Sequence, residues 1–175
     1  DATITPAGPF CETNPALNLT AVDPGGVWSG TGITSSALGT FDPLIATPGT
    51  YTITYTIGGL CGDVETTSIT VNQNYDATIT PAGPFCVSTT PTTLSAADPG
   101  GVWSGTGITN AATGVFNPAT AGAGTHTITY TIAGACGDTE TTTIVVNALD
   151  DATITPLPVQ CLGAPASVLT AVTGG

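Results

Sequence analysis

The sequence has no lysine, no arginine and no methionine, and one histidine, His126, against 12 aspartates and glutamates; its formal net charge is −12. A chain without cations cannot displace the counterions of a phosphate backbone, so nucleic-acid binding is excluded. Attraction to an anionic membrane surface is excluded for the same reason. No apolar run approaches the roughly 20 residues of a membrane span. Trypsin-like proteases find no cleavage site, side-chain salt bridges can involve only His126, and Lys–Asn isopeptide cross-links cannot form. With no methionine and no signal-peptide pattern, residue 1 is not expected to be a translation start.

Charged residues make up only 7 % of the chain, so its surface must be largely Thr, Ser, Gly and Asn. An apolar share of 41 % in regular alternation can still bury a core, which argues against disorder.

What is present is a repeat. The stretch from Asp23 to Thr34 (Asp-Pro-Gly-Gly-Val-Trp-Ser-Gly-Thr-Gly-Ile-Thr) returns letter for letter from Asp98 to Thr109. Asp1 and Asp76, Cys11 and Cys86, Phe41 and Phe116, and Cys61 and Cys136 recur at the same offset of 75 residues. A third copy opens at Asp151, carries Cys161 and reaches Gly175. The expected organisation is a tandem array, with repeat 1 at 1–75, repeat 2 at 76–150 and the first strands of an incomplete repeat at 151–175. Units of that size bury a limited core and usually need a staple.

Within repeat 1 the alternation marks short strands at Ala2–Thr5, Leu17–Ala21, Val27–Ile33, Gly39–Pro43, Thr50–Ile57 and Glu65–Val71. Asp23-Pro24-Gly25-Gly26 is a turn by composition, and no segment has helical periodicity. The predicted fold class is all-β, as tandem immunoglobulin-like β-sandwich domains. The core is expected at Ile4, Leu19, Ala21, Trp28, Phe41, Ile53, Tyr55, Ile69 and Val71. Its repeat-2 equivalents include Trp103, Phe116 and Tyr130. Gly30 and Gly32, in phase with Trp28, are expected to leave room for the indole or for a neighbouring backbone. The links Gln73–Asp76 and Asn147–Asp151 lack a flexible Gly/Ser tract, which favours a stiff rod.

The cysteines have no metal-ligand spacing. Each full repeat has two, 50 residues apart, so disulfides Cys11–Cys61 and Cys86–Cys136 are the economical expectation, and they imply an oxidising compartment. Cys161 is then unpaired in this stretch of sequence, its partner falling beyond Gly175.

Gly-Pro-Phe-Cys, Asp-Pro-Gly-Gly-Val-Trp-Ser-Gly-Thr-Gly-Ile, Gly-x-Phe-(Asp/Asn)-Pro and Gly-Thr-(Tyr/His)-Thr-Ile-Thr-Tyr-Thr-Ile together resemble the Ig-like repeats of very large secreted Bacteroidota-type cell-surface proteins. The resemblance spans Asp1 to Asn147 and the opening of the third copy, where Thr173 and Gly174 replace the turn Asp and Pro. It implies an extracellular, non-enzymatic scaffold of adhesin type and supplies no catalytic residues and no cofactor.

The remaining candidates for chemistry are few. His126 stands where repeat 1 has Tyr51, so no function shared by both repeats can depend on it, and surface or half-buried filler is its plainer role. A nucleophilic triad lacks a base in repeat 1. Asp63/Glu65, Asp138/Glu140 and Asp150/Asp151 offer hard oxygen ligands of the kind calcium takes at domain junctions. Solvated turn charges explain these pairs as well, since dense D-x-D-x-D loops are missing. Trp28 and Trp103 would stack on sugars if exposed, but a lone Trp among glycines is more often core. The Thr50–Thr56 ladder fits a solvated strand face better than an ice- or sugar-binding plane. Asn18-Leu19-Thr20 is a sequon with no counterpart in repeat 2.

The incomplete third repeat, with strands expected at 152–155 and 167–172, needs completion by further chain or by a strand from another copy. Strand exchange between copies would give an open-ended filament. The functional expectation is a structural extracellular protein, forming a rod, stalk or filament for surface adhesion or matrix contact, and not an enzyme. The alternatives are a spacer array presenting a separate binding or catalytic domain, and carbohydrate-binding modules.

Overall fold

In a computed structural model of the chain, the described residues are 1–150 together with 153, 154, 156, 159, 161–163, 165, 166 and 168–170. The strands expected at 152–155 and 167–172 lie mostly outside them. The chain divides into two compact units: Asp1–Asp76 with Ile132–Asp138, and Ala77–Thr131 with Thr139–Gly175.

Repeat 1 contributes β1 (Phe10–Cys11), β2 (Leu17–Asn18), β3 (Val27–Ser29), β4 (Ile33–Ser35), β5 (Thr40–Phe41), a single helical turn α1 (Pro43–Ala46), β6 (Gly49–Ile57) and β7 (Asp63–Asn72). Repeat 2 contributes β8 (Phe85–Cys86), β9 (Thr92–Thr93), β10 (Val102–Gly105), β11 (Ile108–Asn110), β12 (Val115–Phe116), α2 (Pro118–Ala121), β13 (Gly124–Ile132) and β14 (Asp138–Asn147). One sheet of repeat 1 has the order β1-β7-β6-β3 and the other β2-β5-β4, extended by a bridge between Ile4 and Ala21. An immunoglobulin-like sandwich puts strands A, B, E and D on one sheet and C, F and G on the other. The Ile4 segment, β2, β5 and β4 fill the first set in that order, and β3, β6 and β7 fill the second. Repeat 2 has the same two sheets, β10-β13-β14-β8 and β11-β12-β9.

Two local features depart from the sequence expectation. The single strand expected over Val27–Ile33 is two strands in different sheets, because Gly30 (φ 135°) and Gly32 (φ 87°) take backbone conformations that other residues rarely adopt. At Gly30 a Cβ would lie 2.7 Å from the Thr52 carbonyl oxygen, and at Gly32 it would lie 2.6 Å from the Phe41 ring. These glycines turn the chain from one sheet to the other. The indole instead lies over Gly39, where a Cβ would stand 2.7 Å from Trp28 Nε1.

The second departure is helical. Asp42 and Asn117 cap one-turn helices, each accepting a hydrogen bond from the amide two residues on, with proline in the first turn. Four residues are too few for a helical period to register in the sequence.

The core of repeat 1 lies between the sheets. Ile4, Leu19, Trp28, Phe41, Ile53, Tyr55, Ile69 and Val71 are buried there with Ala2 and Ala46. In repeat 2, Ile79, Leu94, Trp103, Phe116, Ile128, Tyr130, Ile144 and Val146 are buried at the equivalent positions. Ala21 and Ala96 are half-buried, each bridging to the first segment of its sandwich. No polar side chain is buried among the described residues.

Candidate functional site

The repeated motif builds a closed turn. Trp28 packs on Tyr55 with ring centroids 4.4 Å apart, and Trp103 packs on Tyr130 at the same distance. The Tyr55 hydroxyl accepts from Gly26 N at 2.8 Å and donates to the Asp23 carbonyl at 2.8 Å, fastening the Asp-Pro-Gly-Gly turn from inside. Tyr130 does the same with Gly101 N and the Asp98 carbonyl. Gly26 is obligatory here, since a Cβ would fall 2.5 Å from the Tyr55 ring. Within the motif Gly26, Trp28, Gly30 and Gly32 each meet a packed neighbour, and the Asp23 carbonyl and Gly26 amide are held by the Tyr55 hydroxyl.

That geometry removes the ground for stacking sugars on the tryptophans. Trp28 and Trp103 are each 5 % exposed, so neither presents a face to solvent. The hollow beside the turn, ≈ 210 Å³ in repeat 1 and ≈ 240 Å³ in repeat 2, is lined in repeat 1 by Leu19, Asp23, Pro24, Trp28 and Tyr55 among others. Asp23 is its one ionisable group besides the Tyr55 hydroxyl, which the turn already uses.

Tyr51 has a definite role that the sequence reading missed. Its hydroxyl donates to the Ala46 carbonyl, tying strand β6 back to the helical turn before it. This is the tyrosine-corner device of immunoglobulin-like sandwiches. His126 fills the place in repeat 2, with Nε2 2.9 Å from the Gly122 carbonyl oxygen. The signal was the Tyr/His alternation inside an otherwise matched strand: both side chains put a polar group at the end of a ring.

Asp63 is committed to backbone. Asp63 accepts from Ala2 N at 2.8 Å and from Val64 N at 2.9 Å, fixing the first segment of the sandwich to the start of β7. The Ala2 and Val64 amides hold its carboxyl below the usual carboxylate range, the Ala2 bond contributing most. Among the described residues no three His, Cys, Asp or Glu side chains come together to hold a metal. A junction calcium on Asp63/Glu65 would compete with these two amide donors.

The outward face of the β6–β7 pair is hydroxylic. Thr50 lies opposite Thr70, Thr52 opposite Ser68 and Thr54 opposite Thr66. The Thr50 and Thr70 hydroxyls are 3.2 Å apart. It is an uncharged polar surface over these three pairs, ending at Thr56 opposite the exposed Val64.

The cysteines overturn the expected pairing. Cys11 is bonded to Cys136, 125 residues away, while Cys61, Cys86 and Cys161 are free and exposed. The reason is register. β1 runs parallel to β7 with Cys11 opposite Asn72, the last residue of β7, whereas Cys61 lies just ahead of Asp63, its first residue. Ten strand residues at about 3.3 Å each put the two cysteines about 30 Å apart, and a disulfide needs Cα atoms within about 7 Å. Cys86, opposite Asn147, and Cys136, ahead of Asp138, are held apart in the same way. Neither Cys11–Cys61 nor Cys86–Cys136 can form inside one sandwich. Each repeat instead has a cysteine at either end of its sheet, which we call its strand pole (Cys11, Cys86) and its turn pole (Cys61, Cys136). In the first compact unit the turn Ile132–Asp138 lies at the Cys11 pole, where Tyr75 N also donates to the Cys136 carbonyl at 3.2 Å.

No protein-family model matches the chain, and no curated protein matches it. Solved structures do. The protocadherin gammaB7 EC3-6 cis-dimer is 15 % identical, with a TM-score of 0.40, over 88 % of this chain and 51 % of that one. Hemolin, an insect immune protein whose domain arrangement carries implications for homophilic adhesion, is 10 % identical, with a TM-score of 0.42, over 85 % of this chain and 47 % of that one. Mouse cadherin-23 EC22-24 is 14 % identical, with a TM-score of 0.34, over 88 % of this chain and 69 % of that one. The chain therefore spans about half the length of the protocadherin and hemolin structures it is similar to.

Proposed function

We propose that this chain is a structural, non-enzymatic extracellular protein whose modules, 1–75, 76–150 and 151–175, belong to a tandem array forming a rod, stalk or filament for surface adhesion or matrix contact. The observation that carries the reading is the pairing of Cys11 with Cys136, which ties a residue of one repeat to a residue of the next. A staple of that kind holds neighbouring modules to a common task of length and contact. The disulfide also supports an oxidising, extracellular location.

The other supports are chemical. What repeats in both modules is a packing device, the Trp–Tyr pair under its turn, and the one histidine is spent on a corner contact. The exposed Thr and Ser hydroxyls of the β6–β7 face, with few charges to repel, suit lateral packing of one array against another and self-association. The resemblance to Bacteroidota-type surface repeats extends the reading to an adhesin-type protein.

Negative-stain imaging of native material tests the proposal. Regular fibres or stalks are expected; isolated globular particles at all concentrations would count against it.

A further inference from the structure

The Cys11–Cys136 bond serves as a template that the rest of the chain is equipped to repeat. Cys86 is the counterpart of Cys11: Phe85 and Cys86 pair in parallel with Val146 and Asn147 as Phe10 and Cys11 pair with Val71 and Asn72. The next residue continues the match, with Val87 N donating to the Asn147 carbonyl at 3.0 Å and Glu12 N to the Asn72 carbonyl at 3.0 Å. Cys61 is the counterpart of Cys136, in a turn closed by Gly62 N donating to Gly59 O at 3.2 Å where repeat 2 has Gly137 N donating to Gly134 O at 3.2 Å.

Local structure is therefore the same at the bonded and the free cysteines, and the difference lies in what covers them. In the bonded turn Ile132 and Cys136 are each 6 % exposed. In the free turn Cys61 is exposed, Ile57 is only half-buried, and Leu60 beside the thiol is fully open to solvent. At the free strand pole Cys86 is exposed as well, where Cys11 is half-buried.

We infer that Cys86 is the attachment point for the turn-pole cysteine of a following module, and Cys61 the residue that reaches the strand pole of a preceding one. Every module is thereby joined covalently to the next through the arrangement seen at Cys11–Cys136. This rests on the tandem-array reading and adds its covalent chemistry. Cys161, at the next repeat of the strand-pole position, is a third attachment point.

The step is an oxidation and needs an acceptor, which is a small-molecule or protein disulfide. One module's thiolate attacks that disulfide and expels one thiol. The second module's thiolate then attacks the mixed disulfide and expels the other. Two protein thiols become one disulfide, and the acceptor leaves as two thiols carrying the two electrons and two protons. The incoming turn cysteine belongs either to a module further along a longer chain or to Cys61 of a second copy, and the chemistry at Cys86 is the same for both.

The test uses the full chain as Cys161→Ser, mixing isotope-labelled and unlabelled copies in a buffer of oxidised and reduced glutathione. Products are separated on non-reducing gels and mapped by mass spectrometry after cleavage at Asp and Glu, the chain offering trypsin nothing. A ladder of covalent multimers is expected, joined by Cys86–Cys61 peptides between labelled and unlabelled copies. Adding Cys61→Ser or Cys86→Ser should abolish that ladder while the Cys11–Cys136 peptide remains. Free thiols at 61 and 86, symmetric Cys61–Cys61 or Cys86–Cys86 links in place of mixed ones, or a Cys61–Cys86 bond within one copy would each overturn the inference.

Mapping native material identifies the source. Cys86 joined to a peptide absent from this sequence supports a longer chain, and Cys86 joined to the Cys61 peptide supports a second copy. Native fibres whose Cys61 and Cys86 thiols are both free would overturn the covalent inference and leave the array reading standing. Mixed links without fibres would support the covalent inference and remove the filament.

Discussion

The turns Gly58–Asp63 and Ala133–Asp138 occupy the same place in their sandwiches, close with the same hydrogen bond and carry cysteine at the same position. One cysteine is buried in a disulfide and the other is a thiol open to solvent. Local sequence thus builds the turn, and the company the turn keeps decides what its cysteine becomes. The corner residues teach the complementary lesson. Tyr51 and His126 differ chemically, yet both reach back to the backbone carbonyl that the corner presents. There the fold sets the task and accepts two residues that can perform it.

The largest effects should come from the shared core, where the repeats ought to behave alike. Phe41 and Phe116 are both fully buried. Phe41→Ala and Phe116→Ala should each cost about 3–5 kcal/mol in denaturant unfolding. A large inequality between them would break the equivalence of the two sandwiches.

The cysteines should then separate them. Cys136→Ser is expected to cost about 2–4 kcal/mol by removing a long closed loop from the unfolded chain. Cys61→Ser in the isolated chain should leave the unfolding midpoint unchanged, because its thiol is exposed and unbonded. Equal effects from the two substitutions would contradict the pairing described above.

Smaller still is the turn clamp. Tyr55→Phe and Tyr130→Phe keep the ring packing and remove two hydrogen bonds each, so about 1–2 kcal/mol is expected from either, read by the same unfolding measurement.

The smallest effect concerns Asp63, whose folded-state carboxyl is held below its ordinary value first by the Ala2 amide and then by the Val64 amide. Its contribution is fully present above the unfolded carboxylate range and is lost as pH falls through the lowered folded value. Protection of the Ala2 amide against exchange, relative to its intrinsic rate, should fall over that acidic window, and Asp63→Asn should remove this pH dependence of protection. Exchange at Ala2 that ignores Asp63 would show that the first segment is held without this clamp, by its bridge at Ala21 and the bonds between Asp1 and Asp23.

Much of this fold is legible in the residues. Alternation in Tyr51-Thr52-Ile53-Thr54-Tyr55 reports which side of a strand faces the core, since side chains alternate across a sheet. Ile53 and Tyr55 do lie between the sheets. The strand expected over Val27–Ile33 is broken in two: alternation carries through Gly30 and Gly32 while the backbone does not. Their positive φ values move the chain to the other sheet. Of the two neighbours expected at those glycines, Gly30 admits the backbone of Thr52 and Ile53, while the room for the indole is at Gly39, from a segment whose approach to Trp28 depends on the packing of the two sheets. The corner at Tyr51 and the clamp at Asp63 were likewise out of reach, because each joins a side chain to a backbone group whose direction no residue pattern specifies.

By itself the sequence determined the period of 75 residues, the all-β character, and the Trp–Tyr core with its glycine turn. These follow from composition and short-range alternation, which every residue carries locally. Only the tertiary structure decided the disulfide. Spacing along the chain counts residues between Cys11 and Cys61, whereas bonding depends on distance in space. The parallel pairing of β1 with the far end of β7 sets that distance at the length of a whole strand, and so keeps the two cysteines of one repeat from pairing with each other.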